Sequence, residues 1–272
     1  MSSRKVQPTT VSDLPQTFED EHVHGVYDEI ASHFSSTRYK PWPVIASFLS
    51  SLPAGAVGLD SGTGNGKYLP LPLERPSGSV WTIGLDRSRN LLAIARGAGE
   101  GPLREVVWGD ALQDCWRSCA FDYAISIATI HHLATEERRR QAVEALIRAV
   151  SSTSGRVLIY VWAVEQDELS KREVPSEGRV DAGVDVFVPW VLQNKNKGNA
   201  ADTGAAESKV YNRYYHMFAR GELRRLAEQA AESLGLDVGV TDGSPAGRRG
   251  LQIVQDGWER SNYYVELQRW CT

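Results

Sequence analysis

Three glycines at alternate positions, Gly62, Gly64 and Gly66, follow a short apolar run that ends on Asp60, in the stretch GLDSGTGNGKYLP (58–70). Glycine-rich turns after strands often cradle phosphates. A dinucleotide turn, however, spaces its glycines G-x-G-x-x-G, and here the spacing is G-x-G-x-G with Lys67 next. A P-loop needs Ser or Thr after its Lys, and Tyr68 stands there. What fits is a strand ending in a carboxylate, with backbone passing close under an uncharged ligand where Gly62 and Gly64 leave room that a Cβ would fill. Asp86 closes the next apolar run about 20 residues further on, where a carboxylate can accept from both ribose hydroxyls. Asp110, in the Gly-Asp-Ala after a third run, stands where a carboxylate would accept from an adenine amine. A nucleoside held without phosphates points to S-adenosylmethionine, and so to methyl transfer. Lys67, Ala111 and Ile127 are expected beside these anchors.

These residues need strands to carry them. The apolar runs at 56–60, 80–86, 103–110, 121–130 and 155–163 read as strands, most of them buried within a sheet. Between them, SRNLLAIARG reads as a helix. TEERRRQAVEALIRAV reads as another, with Thr135 as cap, Glu136 and Glu137 in the first turn, and a core stripe of Val143, Leu146, Ile147 and Val150. Upstream, Val23, Val26, Tyr27, Ile30 and Phe34 form the stripe of an amphipathic helix, and VIASFLSSL is a second helix stopped by Pro53. Strand–helix alternation implies an α/β fold with an open parallel sheet covered on both faces. Residues 1–16 read as a loose polar tail, 17–272 as one domain, and 193–209 as a flexible insertion. A helix is expected from near Arg220. The C-terminal segment reads as two strands around a turn at Asp256-Gly257.

Composition narrows the classes. The formal net charge is −4, from 30 Lys and Arg against 34 Asp and Glu, which argues against non-specific nucleic-acid binding while leaving room for a local basic patch. Three cysteines, Cys115, Cys119 and Cys271, neither build a disulfide framework nor complete a zinc site, so free thiols and no metal are expected. No apolar run approaches membrane-spanning length, and the first residues lack a signal-peptide core.

Beyond the glycine turn, the stretches YDEIASHFSSTRYKPWP, DSGTGNGKYL, GLDRS, FDYAISIATIHHL, ERRRQAV, LIYVWAVEQ, DVFVPWVL and RYYHMFARGEL resemble the eukaryotic tRNA wobble-uridine carboxymethyl methyltransferases. That family includes the domain fused to a vertebrate AlkB-type oxygenase. The resemblance covers about residues 19–272 outside the insertion. It implies a class I S-adenosylmethionine-dependent methyltransferase: a Rossmann-like, doubly wound, mostly parallel seven-stranded sheet. It also implies esterification of 5-carboxymethyluridine in the tRNA anticodon loop, a small zinc-binding activator subunit as heterodimer partner, and a cytoplasmic or nuclear location with no membrane. Two departures stand out. Thr63 replaces the family's usual Cys in the glycine turn, and LPLERPSGSV lengthens the approach to the second strand.

A carboxylate nucleophile is already ionised at neutral pH, so no general base is expected, and positioning must supply most of the rate. Arg38, His131 and Trp162 are the candidates for positioning the substrate, with Arg38, Tyr27 and His132 also reaching the cofactor. Tyr39, Lys40, Trp42, Arg213, Tyr214 and Tyr215 are candidates for gripping the carboxylate and stacking on the anticodon base. Arg138, Arg139 and Arg140 read either as a solvated helix face or as phosphate contacts, joined more weakly by Arg148, Lys171, Arg172, Lys195, Lys197, Arg248 and Arg249. The apolar residues Val107, Trp108, Leu112 and Trp116 near a sheet edge suggest that the activator adds a strand around 103–120. Two other readings stay open: a small-molecule O-methyltransferase, active without RNA or partner, and a non-catalytic cofactor-binding scaffold.

Overall fold

The computed structural model describes residues 4–36, 41–76, 78–168, 170, 172–173, 182–192, 209–241 and 246–272. The expected insertion at 193–209 lies outside them up to Lys209. In chain order the elements are β1 (Arg4–Lys5), β2 (Gln7–Pro8), α1 (Pro15–Glu19), a π-helical turn at Asp20–His24, and α2 (Gly25–Ser35). Then come α3 (Pro43–Ser50), β3 (Ala56–Ser61), β4 (Val80–Asp86), α4 (Arg89–Ala95), β5 (Val106–Trp108) and β6 (Tyr123–Ile127). A 3₁₀ turn at Ile130–His132 leads to α5 (Glu136–Ala149), β7 (Arg156–Trp162), β8 (Arg172–Glu173), β9 (Val184–Leu192) and β10 (Lys209–Met217). The chain ends with α6 (Glu222–Ser233), β11 (Asp237–Val238), β12 (Arg249–Glu259) and β13 (Asn262–Cys271).

The central sheet runs β11-β12-β13-β7-β6-β3-β4-β5. Strands β3 to β7 are parallel, and β13 enters antiparallel between β7 and β12. This is the doubly wound order expected, with eight strands in place of seven because the two-residue β11 adds to the β12 edge. Alternation along the buried strands sorts the two faces. Ala124, Val157, Ile159 and Val161 meet α5 and α6 through Val143, Leu146, Ile147, Leu226 and Ala230. Tyr123, Ile125, Leu158 and Tyr160 meet α3 through Ile45, Phe48 and Leu49. Thr135 caps α5 as its side chain accepts from the Arg138 N–H, and Ser88 caps α4 by accepting from the Leu91 N–H.

Several expectations are corrected. Residues 4–8 are not a loose tail: Val6 is 1% exposed, packed against Trp162, Val186 and Tyr215, and Gln7–Pro8 pair with β9. The first helix starts at Pro15, whose fixed φ suits the first helical position, and the π turn then shifts its phase ahead of α2. β9 and β10 form, with β2, a three-stranded antiparallel sheet that the sequence reading did not assign. The third strand shrinks to three residues, β5. The C-terminal hairpin turns at Arg260–Ser261, both at positive φ (48° and 64°), and not at Asp256-Gly257. Gly257 lies within β12 opposite Tyr264, and a Cβ there would come within 2.6 Å of the Tyr264 hydroxyl. This glycine makes room for a ring and forms no turn.

Candidate active site

A cavity opens at the carboxyl ends of β3, β4, β6 and β7, the edge where doubly wound sheets take their ligands. Tyr27 of α2, Trp42, Gly62, Gly64, Lys67, Asp86, Asp110, Ala111, Ile127, His131, His132, Trp162 and Tyr215 all line it. Sequence reasoning therefore brought most of its candidates to one place.

The three glycines are required for three different reasons. A Cβ on Gly62 would strike the Thr129 side chain at 2.1 Å, so close packing and not the ligand excludes it, which corrects the expected reason. A Cβ on Gly66, which does not line the cavity, would meet the Ala95 backbone of α4 at 2.8 Å. Only Gly64, at φ 57°, has open space beside it, and its N–H donates to Asp86 Oδ2 at 2.8 Å.

The carboxylates are differently committed. Asp60 is 1% exposed, just behind the lining; its Oδ2 accepts from Thr63 Oγ1 at 2.8 Å, and its buried Oδ1 has no hydrogen-bond partner. Burial pushes its ionisation up to about 7 despite the opposing Thr63 bond. Asp86 is also raised by burial, against backbone N–H bonds from Ser88 and Gly64 that favour its charged form. Asp110 Oδ2 pairs with Arg87 at 3.1 Å, and Arg87 reaches on to Asp20 in the π turn. Beside them His24 lines the cavity; burial first, and Arg87 second, lower its ionisation to about 4. This set fits an adenosyl sulfonium. Gly64 offers bare backbone, Asp86 is pre-oriented by two N–H donors, and the orphaned Asp60 oxygen lacks a cationic or donor partner.

The opposite wall is aromatic. Trp162 and Tyr215 stack at 4.1 Å with an interplanar angle of 12°. His132 Nδ1 lies 2.8 Å from the Tyr214 carbonyl, which can only accept, so this nitrogen carries the proton and Nε2 is left to accept. The Tyr27 hydroxyl therefore donates to His132 Nε2 at 3.1 Å, and its oxygen accepts from the Tyr215 hydroxyl at 2.9 Å and from Arg213 Nη1 at 3.3 Å. His131 Nδ1 accepts from the Trp162 N–H at 3.1 Å. Both imidazoles thus have their basic nitrogen occupied.

Arg213 does not line the cavity. It is 3% exposed, one layer behind Tyr27 and Tyr215, with its guanidinium 4.6 Å from the Trp190 ring centroid. Among the described residues no carboxylate pairs with it, and its Nε is buried without a partner. Tyr214 is not substrate-facing: fully buried, its hydroxyl donates to Asp185 at 2.7 Å, and its role at the site is the carbonyl on His132. Asp185 in turn holds His216, whose other nitrogen meets Glu222.

The arginines of α5 have internal partners and do not form a phosphate face. Arg138 clasps the fully buried Glu19 at 2.6 and 2.7 Å; Arg139 is buried and donates to the Leu133 carbonyl; Arg140 bridges Glu137 and Glu144. Arg148 pairs with Asp114 and Arg248 with Asp237. Arg38, Tyr39, Lys40, Lys171, Lys195 and Lys197 lie outside the described residues, and no side-chain placement is described for Arg172. Trp42 is half-buried, stacked on Tyr160 at 5.7 Å, with the Lys67 ammonium 5.9 Å from its ring centroid. Sequence reasoning missed Thr129, Ser88 and Asp28. Ser88 Oγ donates to Asp28 Oδ1 at 2.7 Å, tying α2 to the start of α4. Only the Ser before a helical stripe was a readable signal. Among the described residues no cluster of His, Cys, Asp and Glu could hold a metal ion, and no helix is long and apolar enough to cross a membrane.

Residues 59–153 match the family described as a methyltransferase domain. The tRNA (carboxymethyluridine(34)-5-O)-methyltransferase of Schizosaccharomyces pombe is 40% identical over 258 residues, covering 93% of this chain and 98% of that protein. The enzyme of that name from Saccharomyces cerevisiae is 42% identical over 193 residues, 71% of this chain and 64% of the other. The Xenopus tropicalis protein named tRNA (carboxymethyluridine(34)-5-O)-methyltransferase alkbh8 is 38% identical over 84% of this chain, which spans 40% of its length. Among solved structures, the 1,6-didemethyltoxoflavin-N1-methyltransferase of Burkholderia thailandensis, with S-adenosylhomocysteine bound, superposes with a TM-score of 0.59 over 98% of this chain and 95% of its own. The CcbJ methyltransferase of Streptomyces caelestis gives 0.63 over 91% and 98%. At 15% identity each, these two establish the class I methyltransferase fold alone.

Proposed function

The chain belongs to the tRNA carboxymethyluridine methyltransferase family, and on that premise we propose that it methylates the carboxylate of 5-carboxymethyluridine at the tRNA wobble position, giving the methyl ester. The observation that carries this reading is Arg213, a buried guanidinium with no carboxylate partner among the described residues, beside a cavity in which the basic nitrogens of His131 and His132 each already accept a hydrogen bond. An arginine stays charged at any physiological pH, and burying it unpaired is costly. A substrate anion would supply the missing charge. A neutral nucleophile would instead need a base, and neither imidazole offers a free lone pair on its Nδ1–Nε2 axis toward such a group.

S-adenosylmethionine, when bound, supplies the methyl group as a sulfonium. Asp60 and Asp86 would hold it, with Gly64 giving backbone access. The carboxylate of the substrate is ionised at neutral pH, so the protein's task is orientation. Rotation of the Tyr215 hydroxyl hydrogen from Tyr27 toward an incoming anion gives it a donor without moving any heavy atom, and Arg213 still covers the Tyr27 oxygen. Keeping the guanidinium one layer back also suits the chemistry. The carboxylate loses its charge on the way to the ester, so a direct ion pair would hold the ground state more tightly than the transition state. Trp42, half-buried in the lining of the cavity, offers a face on which an unpaired anticodon base can stack, whereas Trp162 and Tyr215 are nearly buried and stacked on one another.

The same reading includes a heterodimer with a small zinc-binding activator. β5 is the last strand of the sheet, and Leu103, Val107 and Trp108 are 59%, 36% and 58% exposed, which supports a partner strand there. Leu112 and Trp116, expected in that patch, pack instead against the core, so the docking surface is confined to β5 and its approach. The same reading takes the protein to act on cytoplasmic tRNA, and so to reside in the cytoplasm or nucleus. Nucleoside analysis of tRNA from cells lacking the protein tests the reaction: 5-carboxymethyluridine accumulates at the expense of its ester, and an unchanged profile refutes the assignment.

A further inference from the structure

The β12–β13 hairpin brings aromatic side chains to the same edge of the sheet as the cavity. Its tip, Arg260–Ser261, sits beside the end of β7: Asn262 pairs with Trp162, and the Ala163 N–H donates to the Ser261 carbonyl at 3.0 Å. From this tip a cleft runs between the hairpin and the start of α6, lined by Glu165, Arg220, Arg224, Trp258, Tyr263 and Tyr264. Trp258 is 42% exposed while its indole N–H donates to the Glu165 carbonyl at 3.3 Å, so the ring is tethered yet open to solvent.

The charges of this cleft are unevenly matched. The Glu165 carboxylate accepts from the Tyr263 hydroxyl, Arg224 pairs with Glu228 and Asp256, and Glu259 accepts from the Tyr160 hydroxyl. Glu228 and Asp256 are thus paired with a cation, while Glu165 and Glu259 keep their charge against neutral hydroxyls. Arg220 and Arg260 are both exposed, and among the described residues neither pairs with a carboxylate. A tethered, half-open indole thus shares the cleft with the exposed Arg220, and Arg260 stands two residues further on in the hairpin turn. This arrangement matches single-stranded nucleic acid, whose bases stack on any aromatic face and whose phosphates suit arginine.

We propose that this cleft is a second RNA contact, in which an unpaired base flanking the modified nucleotide stacks on Trp258 while Arg220 and Arg260 take the adjoining phosphates. It rests on the reading of the substrate as tRNA, and the charge of its open groups favours RNA over a protein segment, for which an apolar groove would be the fit.

The test uses the full-length chain, alone and with the activator subunit, and carboxymethyl-bearing tRNA. Trp258→Ala raises the tRNA Kd and KM roughly tenfold, in the range set by one lost base stack, while kcat at saturating tRNA, cofactor affinity and the melting temperature stay at wild-type values. Trp258→Phe restores most of the affinity. The double variant Arg220→Ala/Arg260→Ala lowers the slope of log Kd against log salt by about 1.4. Wild-type tRNA binding by Trp258→Ala overturns this proposal alone, as does loss of activator binding with tRNA binding intact, which would make the cleft a protein interface. Wild-type enzyme that transfers no methyl to this tRNA overturns the functional reading and the cleft with it.

Discussion

Replacing Asp60 by Asn should make the protein more stable and worse at its task. The carboxyl is 1% exposed, with one oxygen bonded to Thr63 and the other unpartnered. Raising its ionisation from 3.8 to about 7 corresponds to roughly 4 kcal/mol held against the charged form in the folded state. Asn has the same shape, keeps an acceptor for Thr63, and carries no charge. The sign follows from proton binding. Below pH 3.8 the group is protonated folded and unfolded, so Asp and Asn differ little. As pH rises the unfolded chain ionises first, and the wild type steadily loses stability until its folded carboxyl also ionises near 7. The advantage of Asp60→Asn therefore grows from about pH 4 and levels off above 7, at up to roughly 4 kcal/mol. For a chain of this length that is a rise of up to about 10 °C. Urea and thermal melting from pH 5 to 9 read the curve, and calorimetry with S-adenosylmethionine reads the matching loss of affinity. A variant destabilised at pH 8, or one that binds the cofactor as the wild type does, would refute the reasoning.

Wild-type Asp60 should release a fraction of a proton near pH 7 when the cationic cofactor binds, so the apparent binding enthalpy will vary with the buffer's ionisation enthalpy; equal enthalpies in phosphate and Tris would contradict this. Arg213→Met should cut kcat/KM for carboxymethyl-tRNA by about 100-fold, roughly 3 kcal/mol, while leaving cofactor affinity and melting temperature unchanged or higher, since an unpaired buried charge is removed. The wild type should also prefer the free acid over the corresponding carbamoylmethyl amide in competition binding, and the variant should lose that preference. Glu19→Gln leaves the Arg138 guanidinium facing a neutral group and should cost about 3 kcal/mol in urea unfolding. Val107→Asp, on the exposed edge of β5, should shift the melting of the isolated chain by less than about 0.5 kcal/mol but abolish co-purification with the activator.

What could be read from the chain, and what could not, divides along physical lines. β3, β4, β6 and β7 are largely buried and so appear as apolar runs, and β3 and β4 carry Asp60 and Asp86 at their carboxyl ends, which is why those acids and the glycine turn after β3 were legible. β9 and β10 were not. Their connection is long and carries no hairpin signal, and β10 changes from exposed to buried along its length instead of alternating. Arg138, Arg139 and Arg140 are the same type of residue in a row; the pairs of Arg140 with Glu137 and Glu144 follow helix spacing, but Glu19 and the Leu133 carbonyl, which hold Arg138 and Arg139, lie at separations no helix-face pattern reports. Arg213 was visible as a cation in an aromatic run. That it stands behind Tyr27 with its charge unmatched depends on α2 and β10 meeting, which only tertiary structure supplies. Asp256-Gly257 misled for a similar reason, because the demand on Gly257 comes from the Tyr264 ring across the strand.

The chemical identity of the transferred methyl group tests the central claim most directly. With S-adenosylmethionine labelled in its methyl group, purified protein, activator and carboxymethyl-bearing tRNA, the label should enter the RNA and then leave entirely as methanol under mild alkali, because an ester saponifies where methyl on a ring nitrogen, a carbon or a ribose oxygen does not. Label that stays on the RNA after alkali, or that never reaches it, would contradict the account.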